Sequence, residues 1–158
     1  MPKPDARKRV TSRIRKAAAG DLEAVLEIEN EQFSHPWPEN HYRAELGRGD
    51  GGLFVYDEAD GRVTGFILFW MMAQTVELQK IAVRGSCQGR GIAGRLLDFM
   101  LTLARQGDVD EVFLEVRRSN RNAIRLYEKY GFRKSGERQG YYQNPIEDAW
   151  LYTLRLKK

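Results

Sequence analysis

Apolar residues change their spacing several times along this chain, and each change marks an element. Leu22, Val25, Leu26 and Glu29 recur at helical intervals behind the acidic opening Asp21-Leu22-Glu23. This predicts a helix ending between Asn30 and Phe33, ahead of the Pro36-Trp37-Pro38 break. A shorter helix is expected from Glu39 to Leu46, stopping at Gly47. Apolar runs of β type follow at Gly52–Tyr56 and Val63–Met72 around the turn dipeptide Asp60-Gly61, and again at Val76–Val83. The clearest amphipathic stripe is Ala93, Leu96, Leu97, Met100, Leu103 and Ala104, with Arg95, Asp98, Thr102 and Arg105 opposite, ending at Gln106-Gly107.

Glu111–Val116 reads as a short buried strand, and Asn120–Tyr130 as a last helix capped by Ser119 or Asn120 and stopped by Gly131. Strands at Phe132–Glu137 and Glu147–Leu156 flank a turn over Tyr141-Tyr142-Gln143-Asn144-Pro145, and Arg13–Lys16 supplies a first strand. The order β-α-α-β-β-β-α-β-α-β-β implies a mixed α/β sheet. Parallel pairing is expected where a helix joins 76–83 to 111–116.

Length and composition narrow the class. The 158 residues are 42% hydrophobic and 30% charged, which suits one globular domain over 13–158 behind a basic segment at 1–12. The longest apolar stretch, Phe66–Ala73, is too short for a membrane span, and no secretory leader is evident, so no membrane partner is expected. A single cysteine, Cys87, excludes an internal disulfide and fits a cytoplasmic setting. No Cys/His cluster has metal-ligand spacing, so no metal is expected.

Net charge is +4, yet residues 1–16 hold seven Lys or Arg against Asp5 alone, leaving the remaining 142 residues at −2. Basicity belongs to the tail, which is either solvated or a contact to nucleic acid or a ribosome. No nucleic-acid motif appears elsewhere.

Gly89-Arg90-Gly91-Ile92-Ala93-Gly94 satisfies G-x-G-x-x-G, and Glu115 lies 21 residues beyond Gly94. A dinucleotide fold is nevertheless excluded. Five residues, Arg84–Gln88, separate strand from glycine, and too few βαβ units follow. What survives is backbone N–H groups around small residues at a helix's positive end, an anion site suited to phosphate, with Arg84, Arg90 and Arg95 expected to add charge. An ordinary glycine-rich βα turn is the structural alternative.

Gln88-Gly89-Arg90-Gly91-Ile92-Ala93 also resembles Q/R-x-x-G-x-G/A, the coenzyme A pyrophosphate motif of the GNAT superfamily of N-acetyltransferases, and the element order resembles that family's over about 13–156. A narrower likeness, to the RimI-type ribosomal-protein-alanine N-acetyltransferases, rests on Phe113–Asn120, Ala123–Tyr127, Gly131-Phe132, Ile81–Val83, Pro36-Trp37, Tyr141-Tyr142 and Glu147–Ala149. Pro38, where that type often has serine, and Ala93, in place of glycine, are the departures. The resemblance implies a mostly antiparallel sheet with helices on both faces, with 76–83 and 111–116 as parallel, splayed strands. It implies acetyl-CoA as cosubstrate and a protein N-terminus, of a ribosomal protein, as partner.

Read from the residues, Glu115 sits in an otherwise apolar strand, on the face of Phe113 and opposite Leu114 and Val116. Such an acid is either a base or a solvent-facing partner for an arginine. Tyr127 shares a helix face with Asn120 and Ile124, a position equally suited to the core. The resemblance assigns Glu115 as general base, Tyr127 as the acid for the departing thiolate, and Asn120 as a coenzyme A contact. By the same likeness the loop Gln88, Gly89, Arg90, Gly91, Ile92, Ala93 and Gly94 holds the pyrophosphate, and the backbone of Ile81, Ala82 and Val83 the pantetheine arm and thioester carbonyl.

Glu77 is the rival base, and Cys87 lacks the surroundings of a nucleophile. Trp37, Tyr141, Tyr142, Glu147 and Asp148 are candidates for the acceptor groove, the acids suiting a basic N-terminal peptide, with aromatic packing and strand-end solvation as the alternative. A lysine or polyamine acceptor, and a non-catalytic acyl-CoA-binding module, stand as the competing functions.

Overall fold

A computed structural model describes residues 13–157; the basic segment 1–12 lies outside them. The elements follow the expected order: β1 (Arg13–Lys16), α1 (Leu22–Gln32), α2 (Glu39–Arg43), β2 (Gly51–Asp57), β3 (Val63–Met72), β4 (Thr75–Val83), α3 (Ile92–Gln106), β5 (Glu111–Arg117), α4 (Arg121–Lys129), β6 (Arg133–Tyr142) and β7 (Glu147–Arg155). Single 3-10 turns precede α1 at Ala19–Asp21 and follow β4 at Gly85–Cys87. The strands form one mostly antiparallel sheet in the order β1-β2-β3-β4-β5-β7-β6.

The fold comprises two compact units, one running to Leu68 and including Lys80–Phe99, the other comprising Phe69–Gln79 and the chain from Met100 on. In the first, α1 turns Leu22, Val25 and Ile28 inward, where they join Tyr42, Leu53 and Phe66 in one apolar core. β1 pairs antiparallel with β2, from Arg13 opposite Asp57 to Lys16 opposite Phe54. Gly65 permits a close approach, since a Cβ there would stand 3.1 Å from Ile92 and 3.2 Å from the Ala82 carbonyl.

In the second unit β5 is the organising strand. It pairs in parallel with β4, Thr75 to Leu78 against Glu111 to Leu114, and antiparallel with β7, from Glu111 opposite Arg155 to Arg117 opposite Ala149. Val112, Leu114 and Val116 are buried while Phe113 and Glu115 are half-buried, the alternation the sequence predicts. α4 is capped by Asn120, whose Oδ1 accepts the Ala123 N–H at 3.2 Å, and ends at Gly131 with φ +94°.

Two boundaries differ from expectation by more than one residue. α2 stops at Arg43 and gives way to turns before Gly47. β6 runs five residues further than predicted, so Tyr141 and Tyr142 are strand residues and the turn begins at Gln143. Its residues are polar and mostly exposed, so no apolar alternation marks it; pairing with β7 defines it, through register shifts after Lys134 and after Arg138.

Candidate active site

The first unit holds the glycine loop. Gln88 fastens it, its Nε2 donating to Gln32 Oε1 at 2.9 Å and to the Val83 carbonyl at 3.2 Å. Gly89 and Gly91 both adopt φ +82°, left-handed backbone that side chains resist. The first helical bond of α3 runs from the Arg95 N–H to the Gly91 carbonyl at 3.1 Å, so the amides of Ile92 and Ala93 precede the hydrogen-bond ladder. The arginines are placed otherwise than expected. Arg84 pairs with Glu27 at 3.0 Å, Arg90 with Glu58 at 3.0 Å, and Arg95 donates to the Tyr56 hydroxyl at 2.6 Å. Two of the three charges are thus offset by carboxylates, and the anion affinity of the loop falls chiefly to its backbone and to the helix end. Cys87 is buried in the adjoining turn, with Ser86 Oγ 3.7 Å from its sulfur.

Trp37 belongs to a buried cluster in the same unit that sequence reading missed. Glu29 is fully buried. One of its oxygens accepts the Trp37 N–H at 3.0 Å and pairs with the Lys80 ammonium, and the other accepts the Tyr42 hydroxyl. Lys80 Nζ lies 4.2 Å from the Phe33 ring centre and 4.4 Å from that of Trp37. Burial lowers the Lys80 pKa against the opposing pull of Glu29, and burial together with the Glu29 charge raises that of Tyr42. The available signal was an acid, Glu29, inside the apolar stripe of α1.

The second unit gathers the acid-base candidates. Glu115 is partly exposed on β5, and Arg138 reaches across β7 to it, Nη2 to Oε1 at 3.4 Å. The sequence left a base and an arginine-paired acid open for Glu115; the arginine contact is present. The charge of Glu115 is the largest influence raising the Tyr141 pKa, and Glu77 contributes in the same direction. Tyr142 is pushed up to about 12, first by burial and then by Glu115, while Arg117, 4.3 Å from its ring centre, opposes the shift. Tyr127 is buried on α4, and burial, then Tyr142, raises its pKa well above the usual phenol range. Tyr142 is therefore the common electrostatic neighbour of Glu115 and Tyr127.

The remaining candidates are tied into this unit's frame. Glu147 accepts the Ser119 N–H at 2.5 Å and pairs with Arg117 at 3.3 Å; the Ser119 side chain is the first cause of its lowered pKa, and the N–H adds to it. Asp148 Oδ1 accepts the Gly140 N–H at 2.9 Å. Asn120 serves as the α4 cap. Such a set pairs a carboxylate that can accept a proton with phenols that can donate one.

Comparison with known proteins shows a family likeness. The profile of the acetyltransferase (GNAT) family matches residues 22–132. The chain is 34% identical to the N-alpha-acetyltransferase RimI of Mycobacterium tuberculosis, with 85% of each chain covered. It is 33% identical to the [ribosomal protein bS18]-alanine N-acetyltransferase of Salmonella typhimurium, over 86% of this chain and 92% of that one. Among solved structures, the ribosomal-protein-S18-alanine N-acetyltransferase of Escherichia coli superposes with a TM-score of 0.85 at 28% identity, covering 94% of this chain and 96% of that one.

Proposed function

The chain belongs to the acetyltransferase (GNAT) family, acetyl-CoA-dependent N-acetyltransferases, and from that premise we propose that its acceptor is a protein N-terminal α-amine, the N-terminal alanine of a small-subunit ribosomal protein. The observation that carries the reading is Glu115, an acid in the apolar run Val112–Val116 of β5 beside the phenols of Tyr141 and Tyr142, both held above their usual pKa. An α-amine, with an ordinary pKa of about 7.7–8.0, is partly neutral at physiological pH, whereas a lysine at about 10.4 is not.

In this reading Glu115 accepts a proton from the amine, directly or through one water, as nitrogen bonds to the thioester carbonyl carbon. The carbonyl oxygen gains charge and is stabilised by backbone amides of Ile81–Val83. When the C–S bond breaks, the departing sulfur takes the phenolic proton of Tyr127, and solvent exchange restores both groups. The Gln88–Gly94 amides hold the pyrophosphate and Asn120 contacts the cosubstrate. Tyr141 and Tyr142 line the acceptor's approach, with Asp148 supplying negative charge for a basic peptide.

Mass spectrometry of a peptide panel incubated with acetyl-CoA tests the reading. The panel comprises free N-terminal Ala, Ser, Met and Gly peptides, N-blocked lysine peptides and polyamines. One acetyl group on Ala-starting peptides, with the blocked ones untouched, is the expected result. Modification confined to lysines or polyamines would overturn the acceptor, and acetyl-CoA binding without any product would point to a non-catalytic module.

A further inference from the structure

One polar atom stands unpartnered where β4 and β5 part. The parallel pairing of the two strands ends at Leu78 opposite Leu114, so Gln79 and Glu115 are the next residues on each strand, level with one another. Alternation gives both the half-buried face that carries Glu77 and Phe113. Gln79 Nε2 is buried and has no hydrogen-bond partner among the described residues. Glu115, by contrast, is engaged by Arg138 and Tyr141.

A buried N–H without an acceptor lowers stability, and a leucine of similar volume would carry no such cost. Unpaired buried groups therefore call for a role, and here the geometry specifies one. Paired strands stand about 4.8 Å apart, and beyond Leu78 and Leu114 β4 and β5 leave that pairing. In an N-terminal residue the carbonyl oxygen is three covalent bonds from the amine nitrogen. A turn of the Gln79 side chain would carry this donor, which is sealed from solvent in its resting position, to the carbonyl of the residue whose amine the base serves. An amide –NH2 donates and cannot accept, so it suits a carbonyl oxygen.

We infer that Gln79 is a substrate-binding residue that donates Nε2–H to the first carbonyl oxygen of the acceptor while Glu115 takes a proton from that residue's amine. The inference rests on the α-amine reading above and deepens it, because it supplies selectivity. An N-terminal residue carries its carbonyl at a fixed offset from the amine; a lysine side chain or a polyamine does not. A site built to hydrogen-bond a group rejects analogues that lack it.

The test compares the full-length wild-type chain with Gln79→Leu on two acceptors: an alanine-starting peptide, and the same peptide with its first amide replaced by a trans-alkene, which keeps the shape and removes the carbonyl. Gln79→Leu is expected to lower kcat/KM on the normal peptide by about ten- to a hundredfold. On the alkene it should match the wild type within about threefold, with acetyl-CoA affinity unchanged. Its Tm should rise, because an unsatisfied buried donor is gone. A residue that served only the fold would lose stability instead. Gln79→Met provides the same comparison with a more adaptable side chain should leucine pack poorly.

Equal losses on both acceptors, an unchanged rate on the normal peptide, or a lower Tm in both variants would overturn the inference. Wild-type activity confined to lysines or polyamines would overturn the α-amine reading and this inference with it. Wild-type α-amine activity that Gln79→Leu leaves intact would overturn this inference alone.

Discussion

Lys80 and Glu29, 51 residues apart in the chain, form an ion pair in which the carboxylate is wholly buried and the lysine side chain is 10% exposed. The pair ties α1 to β4, and through the Trp37 N–H and the Phe33 and Trp37 rings it also anchors the segment between α1 and α2. Removing one partner of a buried pair leaves the other charge uncompensated. Lys80→Met is therefore expected to destabilise the chain by about 3 kcal/mol in urea unfolding. The double variant Glu29→Gln with Lys80→Met should recover much of that loss, because no buried charge remains. A double variant no more stable than Lys80→Met would show that packing, not charge pairing, holds the segment.

Glu115→Gln keeps the shape of the side chain and removes its capacity to take a proton. It is expected to lower kcat on an alanine-starting peptide by about 10²–10⁴-fold, with acetyl-CoA affinity unchanged in calorimetry. Full activity at neutral pH would dismiss Glu115 as the base and turn attention to Glu77.

Tyr127→Phe removes a buried phenol whose proton is held firmly by burial. The expected fall in kcat is about a hundredfold, read in steady-state assays at saturating acetyl-CoA. A kcat within about twofold of the wild type would assign Tyr127 to packing against Phe132, whose ring centre lies 5.8 Å away.

Gly91→Ala introduces no clash, since nothing lies within 4 Å of its added Cβ. The left-handed backbone at φ +82° would nevertheless be strained by about 1–2 kcal/mol. Relaxing that strain reorients the amides before α3, so acetyl-CoA affinity should weaken by about tenfold while the far-ultraviolet circular dichroism spectrum stays unchanged. Unaltered affinity would remove the loop's backbone from cosubstrate binding.

Alkaline pH should unfold the chain through its tyrosines. Tyr142, pushed up to about 12, and the still higher Tyr127 and Tyr42 keep their protons in the fold at pH values where an unfolded phenol, near 10, has lost its own. The folded state then binds more protons than the unfolded one, so stability falls as pH rises above about 10. The slope is about 1.4 kcal/mol per pH unit for each such phenol. Urea unfolding at successive pH values, with phenolate absorbance followed in parallel, measures it. Tyr142→Phe should flatten the slope, and an unchanged slope would exclude Tyr142 as a contributor.

Much of the element order was legible because the signals are local. The 3.6-residue stripe of α3, the alternation that puts Glu115 on the face of Phe113, and the Asn120 cap of α4 each depend on residues within a few positions of one another. The glycine loop was legible for the same reason, since left-handed backbone at Gly89 and Gly91 is a property of single residues. Only the tertiary structure decided which distant groups meet. Glu29 found Lys80, Arg90 turned to Glu58, and Arg138 crossed β7 to Glu115, because sheet pairing and helix docking bring together residues that carry no mark of one another in the chain. β6 became a long strand although its own residues show no apolar period, because β7 supplied the hydrogen-bonding edge. Gln79 was silent in the sequence for a related reason: its significance lies in a partner it lacks, and that is defined only once β4 and β5 are paired up to Leu78 and Leu114 and then part.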